Sequence, residues 1–286
     1  MRPTILFAML LALLSACSPL NGFNALVPKD GGVRLAVRSA AYGSDPRQAV
    51  DIYTPTKPTG TPLPIIVFIY GGSWQSGSKD GYGFAARALA ARGFVVAVPD
   101  YRLVPAVRFP GFVEDCAAAV KWVRANAARV GGDPNRIVLI GHSAGAYNAA
   151  MLALDARYLG ADHAAVRGLI GLAGPYDFLP LDGPITRAAF GDAPDLAATQ
   201  PVTFASAGDP PALLLQGEKD TLVYPRNSRS LARKLTASGV RVEVKLYPDL
   251  GHVGILTALA APFRGRAPVL DDAVRFAHEV TNQRAH

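Results

Sequence analysis

The sequence predicts an α/β fold: about eight strands in a mostly parallel sheet, with helices on both faces and a small cap. Three observations lead there. Residues 65–70, 94–98, 137–140 and 212–216 are nearly continuous apolar runs of strand length, as expected of strands buried on both faces. Stretches at 84–92, 114–130 and 144–154 carry apolar residues at helical spacing, and their alternation with the strands is the pattern of parallel strands joined by crossover helices. Of the 286 residues, 50% are hydrophobic and 18% charged, which fills one large interior and excludes a disordered chain.

The elements follow in order. The first sixteen residues hold Arg2, an apolar stretch at 5–14, then Ser15 and Ala16, the pattern of a signal peptide. That stretch falls short of the roughly twenty residues that span a bilayer. Residues 17–30 read as Cys17 and a short tether, with Gly22 and Pro28 within it, and the domain proper as 31–286. Runs 33–37 and 49–53 alternate apolar and polar side chains, as half-exposed antiparallel edge strands do. Strands at 166–172 and 242–246 and helices at 228–238 and 271–284 complete the count, so the sheet is antiparallel at its start and parallel thereafter.

The formal charge is +7, but the basic residues form no run, which leaves a nucleic-acid partner without support. Such a charge favours only non-specific contact with anionic lipid or envelope polymers.

The sharpest chemical signal is Gly141-His142-Ser143-Ala144-Gly145, placed between an apolar strand and an apolar helix. A Gly-x-Ser-x-Gly turn in that setting holds its serine on a strained corner above the sheet. A serine hydroxyl is a weak nucleophile and needs a base and a group that orients the base, here in the chain order Ser, acid, His. Asp220 lies just past the strand at 212–216, and His252 just past that at 242–246, where α/β sheets place their sites. Glu218 lies too near its strand, and Asp249 too near His252 in sequence, to be the first choice of acid. His142, His163, His278 and His286 are read as surface or structural residues, and nothing has metal-ligand spacing. The glycines of Tyr70-Gly71-Gly72-Ser73-Trp74 leave backbone N–H groups bare, so Gly72 and Ser73, with Ala144, can stabilise an oxyanion.

Two further patterns imitate nucleotide sites. Residues 72–79 end Gly-Ser-Lys with the lysine displaced from its phosphate-loop position, and the glycines at 81 and 83 lie too far beyond their strand for a dinucleotide turn. Asp100, with Tyr101 and Arg102, reads instead as a loop anchor.

Five motifs in order, Tyr70 to Trp74, Asp100-Tyr101-Arg102-Leu103, Gly141 to Gly145, the Asp220 loop and Gly251-His252, resemble the carboxylesterase and hormone-sensitive-lipase-like branch of the α/β-hydrolases, near the kynurenine-formamidase-like esterases. The resemblance covers about 51–252. It implies the α/β-hydrolase fold, hydrolysis of acyl esters without a cofactor, and the roles already given to Ser143, Asp220, His252, Gly72, Ser73 and Ala144. Tyr70 stands where the family carries His, leaving open how the oxyanion loop is pinned. An amidase or peptidase on the same residues, or a non-catalytic binding lipoprotein, are the other readings. Leu14-Ser15-Ala16-Cys17 resembles a bacterial lipobox, which implies diacylglycerol on the Cys17 thiol and a membrane anchor. Ser18 after it implies the outer membrane, facing the periplasm. Cys116 then has no partner, so no disulfide is expected, and its apolar helical setting reads as a packed core thiol. The proline-rich connection at about 174–210 is read as a cap whose small size suits short acyl groups. Its Phe178, Leu179, Leu181, Phe190 and Leu196 either line a pocket above Ser143 or pack the cap onto the domain.

Overall fold

The computed structural model describes residues 19–57 and 60–282. Strands β1 (Val33–Ala41), β2 (Ala49–Pro55), β3 (Leu63–Ile69), β4 (Val95–Pro99), β5 (Gly132–His142), β6 (Val166–Leu172), β7 (Ala212–Gly217) and β8 (Val242–Tyr247) form one sheet in the order β1-β2-β4-β3-β5-β6-β7-β8. The pairs β1–β2 and β2–β4 are antiparallel and the others parallel, as expected from the alternating edge runs and the apolar central ones. The chain steps from β3 outward to β4 and then back across β3 to β5. Crossover direction therefore reverses at the β3–β5 pair, and the crevice beyond the carboxyl ends of those two strands is where an open α/β sheet binds its ligands.

Right-handed crossovers then assign the faces. Helix α2 (Gly83–Ala90) joins β3 to β4 on one face, and the last helix, α8 (Val269–Asn282), packs beside it. Helices α3 (Gly111–Asn126), α4 (Ala144–Leu154) and α6 (Arg226–Ala237) follow strands that step the other way and cover the other face. Every residue of α4 is buried, which explains its all-round apolar sequence. Cys116 on α3 is a packed thiol whose Sγ accepts a hydrogen bond from Asn148 on α4 at 3.5 Å.

The expected tether is folded instead. Helix α1 (Pro19–Leu26) lies against the domain, with Phe23 edge-on to Phe84 at 5.1 Å and next to Phe263 at 5.9 Å. Asn24 accepts the Phe84 N–H at 2.8 Å and donates to the Asp80 carbonyl at 2.7 Å, so it serves the otherwise unpaired start of α2. Beyond it Asp30 is gripped by Arg264 at 2.5 Å and by Arg92 at 3.2 Å. Leu20 and Phe23, three apart, make a short apolar stripe that Gly22 and Pro28 obscured. The expected signal peptide and Cys17 lie outside the described residues, as does His286.

The cap holds α5 (Pro184–Phe190) and short 3-10 turns at Ala197–Thr199 and Pro201–Phe204. Its main fastening is Phe190, buried among Trp74 at 4.8 Å, Tyr147 at 5.2 Å, Phe178 at 5.3 Å and Phe112 at 5.7 Å.

Candidate active site

At the end of β5 the chain turns through Ser143 at φ 55°, ψ −125° and enters α4 directly. A non-glycine residue held there costs on the order of 1–3 kcal/mol, which only a tightly determined surround sustains. The flanking glycines provide it by letting backbones touch. A Cβ at Gly145 would meet the Ile69 carbonyl oxygen at 2.0 Å, and one at Gly141 would meet that of Gly145 at 2.2 Å. The corner therefore sits hard against the end of β3.

Three side chains that the sequence singles out meet at this corner. Ser143 Oγ lies 2.8 Å from His252 Nε2, and His252 Nδ1 lies 2.8 Å from Asp220 Oδ2. With Asp220 ionised, Nδ1 carries the proton, and the Nε2 lone pair is left to accept from the Ser143 hydroxyl. Asp220 is buried in the turn after β7. Its Oδ1 accepts the backbone N–H groups of Val223 at 2.8 Å and Leu222 at 2.9 Å, and its Oδ2 accepts Gln216 Nε2 at 3.1 Å. Burial alone would raise the Asp220 pKa, but the His252 ring and those two N–H groups outweigh it and hold the carboxyl below its ordinary value. Glu218 and Asp249 are exposed, and Asp249 pairs with Lys219 at 2.7 Å rather than with His252.

Opposite Ser143 runs the loop that follows β3. Gly72, Ser73 and Trp74 all have positive φ, at 131°, 55° and 58°. The Gly71 N–H is taken by Tyr82 Oη at 3.2 Å, whereas among the described residues those of Gly72, Ser73 and Ala144 have no protein acceptor. The loop is pinned by a clamp that sequence reading left open. Arg47 donates to Tyr70 Oη at 2.7 Å and to the Gly77 carbonyl at 2.8 Å, spanning the loop's two ends, and also to the Tyr101 carbonyl at 2.9 Å. Tyr101 Oη in turn donates to the Tyr70 carbonyl at 2.8 Å, and its ring stacks on that of Tyr70 at 4.7 Å. Asp100 accepts the Lys79 N–H at 2.7 Å, and Arg102 forks onto Asp115, in keeping with their reading as anchors.

Two cavities meet at Ser143. One, of about 210 Å³, lies under the cap between Trp74, Phe178, Ile185 and Tyr224, and also touches Ser73 and Ala144. The other, of about 360 Å³, runs from His252 and His142 to Leu20 and Phe23 of α1 and Val253 of α7 (His252–Thr257). Of the cap residues considered, Phe178 lines the first cavity, Phe190 and Leu181 pack inward, and Leu179 and Leu196 are exposed.

Several contributors were missed. Gln216 holds Asp220 while accepting from Ser228 Oγ at 3.0 Å and donating to the Val223 carbonyl at 3.0 Å. A polar residue ending an otherwise apolar buried strand was its signal. Leu222, Val223 and Tyr224, which follow Asp220, wall the first cavity, and their spacing carried no clue. His142 is buried and donates Nε2–H to the His252 carbonyl at 3.0 Å, so it steadies the backbone that carries His252. His163 and His278 reach the carbonyls of Ala153 and Arg92 at 2.8 and 3.0 Å, structural roles both. Among the described residues no cluster of His, Cys, Asp or Glu has the makings of a metal site.

The sequence profile of the BD-FAE family matches residues 50–235, which include Ser143 and Asp220. The chain belongs to the BD-FAE family. Esterase LipC of Mycobacterium tuberculosis is 31% identical to this BD-FAE chain over 239 residues, 75% of the chain and 59% of its own length. The chain thus spans about three fifths of that relative. Carboxylesterase NlhH of the same organism is 33% identical over 258 residues, covering 82% of the chain and 80% of NlhH. Among solved structures, esterase B from Lactobacillus rhamnosis superposes with a TM-score of 0.80 at 20% identity, over 98% of this chain and 96% of that one, and so shares the α/β-hydrolase fold.

Burial, chiefly, and the neighbouring His252 push the His142 pKa down to about 3. An unfolded histidine titrates near 6.5, so below that pH the unfolded chain binds the extra proton and stability falls as pH falls. Between pH 7 and pH 5 this group alone removes about 2 kcal/mol. Urea unfolding at both pH values is therefore expected to show a markedly smaller acid loss in His142→Gln than in the natural chain. Equal losses would exonerate His142.

Proposed function

We propose that the chain is a serine esterase that cleaves short-chain carboxylic esters through an acyl-enzyme. The observation that carries this reading is the unbroken relay Ser143, His252, Asp220 beside three unspent backbone N–H groups. His252 Nε2 takes the Ser143 proton as Oγ attacks the ester carbonyl. The oxygen gains its charge against the N–H groups of Gly72, Ser73 and Ala144, which are already oriented and need no reorganisation. The imidazolium, stabilised by Asp220, then returns its proton to the departing alkoxide. Water enters and attacks the acyl carbon while losing a proton to His252, which passes that proton to Ser143 Oγ as the acid departs. That the relatives LipC and NlhH are an esterase and a carboxylesterase supports ester hydrolysis as the reaction.

The same proton transfer assigns the cavities. The leaving oxygen must come within reach of His252 Nε2, so the alcohol part lies in the cavity that His252 lines, beside α1. The acyl part then lies under the cap, in about 210 Å³, below the usual range of roughly 300–1,000 Å³ for drug-sized ligands. We further propose that diacylglycerol on Cys17 ties the mature protein to the outer membrane on its periplasmic side, a reading supported by Leu14 to Cys17, Ser18 and the apolar stretch before them.

Ser143→Ala is expected to abolish turnover in a chain with an unchanged melting curve, and Asp220→Asn to lower it by a factor on the order of 10⁴, with Asp249→Asn mild. A crippled Asp249→Asn beside an active Asp220→Asn would reverse the choice of acid. Across p-nitrophenyl esters, kcat/KM is expected to peak between acetyl and about hexanoyl, each favourable methylene adding up to roughly 0.8 kcal/mol until the cavity is full. A maximum at palmitoyl would rule out the short acyl cavity, and faster turnover of formyl-amide or peptide substrates would favour an amidase. Cys17→Ser is expected to leave the membrane fraction, and mass spectrometry of the natural chain to find acylation at residue 17.

A further inference from the structure

We infer that the Ser143 cleft faces the membrane and draws its substrate from it, as the short-chain ester of an amphiphilic alcohol. The inference rests on the esterase and Cys17 readings above and adds orientation and substrate class. Its first support is where the anchor ends. Pro19, Leu20 and Phe23 of α1 line the same cavity as His252 and Ser143. Cys17 precedes Pro19 by two residues, which span at most about 7 Å. Since α1 is fastened through Phe23 and Asn24, a lipid on Cys17 cannot swing to the far side of the domain. The bilayer must meet the protein near the rim of the alcohol cavity.

The second support is the rim itself. Eight large hydrophobic side chains are exposed among the described residues, and four of them, Leu222 at 65%, Val253 at 62%, Tyr224 at 53% and Ile185 at 39%, line the two cavities at Ser143. Single exposed hydrophobic residues are ordinary, but a group around one opening marks a contact surface. Arg226 lies over the Tyr224 ring at 5.7 Å on the same rim, an aromatic and a cation suited to the headgroup layer. The net charge of +7, of which Arg2 contributes one unit that leaves with the signal peptide, favours an anionic surface as well. An alcohol with an apolar chain would leave the bilayer along Leu20, Phe23 and Val253 and bring its ester oxygen to His252, while the short acyl group enters under the cap.

The test uses the full lipidated chain on vesicles of phosphatidylethanolamine and phosphatidylglycerol containing a doxyl-labelled lipid. A fluorophore is attached to Val253→Cys or, as control, to Ala237→Cys, an exposed residue at the end of α6 where the amino ends of the strands lie. Quenching at residue 253 and none at 237 is expected. In unlabelled protein, the anchored form is expected to hydrolyse dodecyl acetate in vesicles at least about tenfold faster than Cys17→Ser, through the raised local concentration, with both equal on p-nitrophenyl acetate in buffer. An acylated, vesicle-bound protein quenched at 237 rather than 253, or one without advantage on dodecyl acetate, would overturn the membrane-facing cleft alone. Faster hydrolysis of p-nitrophenyl acetate by Cys17→Ser would overturn it too, by placing the anchor's own acyl chain in the cavity. An unacylated Cys17 would remove the anchor and this inference together, and loss of ester hydrolysis in every arm would remove the esterase reading.

Discussion

The close approach of three backbones at Ser143 is the constraint on which the site depends. The end of β3, the corner after β5 and the first turn of α4 touch because Gly141 and Gly145 have no side chains to keep them apart. That contact sustains the unfavourable dihedrals of Ser143, lifts its hydroxyl out of the sheet, and brings the N–H of Ala144 beside the loop that carries Gly72 and Ser73. The corner serine and the unpaired backbone N–H groups are thus one backbone feature. The reversal of crossover direction at β3–β5 supplies the open crevice above it.

Charge is handled with similar economy. One buried carboxylate, Asp220, is made affordable by two backbone N–H groups, an amide and the imidazole it orients. A second histidine lies next to the first, with ring centres 4.9 Å apart, yet burial keeps His142 neutral, so it steadies His252 without competing for its proton. The loop from Gly71 to Lys79 is tied at its far end by Lys79, buried against Asp51 at 3.1 Å.

How far sequence reached depended on whether a residue's role was local. The corner at Ser143, the apolar central strands and the placement of Asp220 and His252 after strand ends follow from short patterns with direct steric or electrostatic causes, and the structure brings those residues together. The docking of α1 was illegible because Leu20 and Phe23 acquire their meaning only from Phe84 and Phe263, far along the chain. His142 and Arg47 escaped for the same reason, since each acts through a partner remote in sequence, whereas Gln216 serves Asp220 only four residues on and was marked by its place at the end of an apolar strand. Which side chains of the proline-rich connection face the cavity depends on how Phe190 packs, and proline spacing does not encode that.

The clamp on the oxyanion loop has a bearing on acidity. A histidine before the two glycines would change charge close to neutrality, and the loop's support would change with it. Here that support is the Arg47 guanidinium on a phenol whose ionisation burial pushes far above neutrality. Asp100, the neighbouring carboxyl, has its pKa raised by burial. The phenol that holds the loop carrying Gly72 and Ser73 therefore stays protonated through neutral and mildly alkaline conditions, where a histidine would change charge.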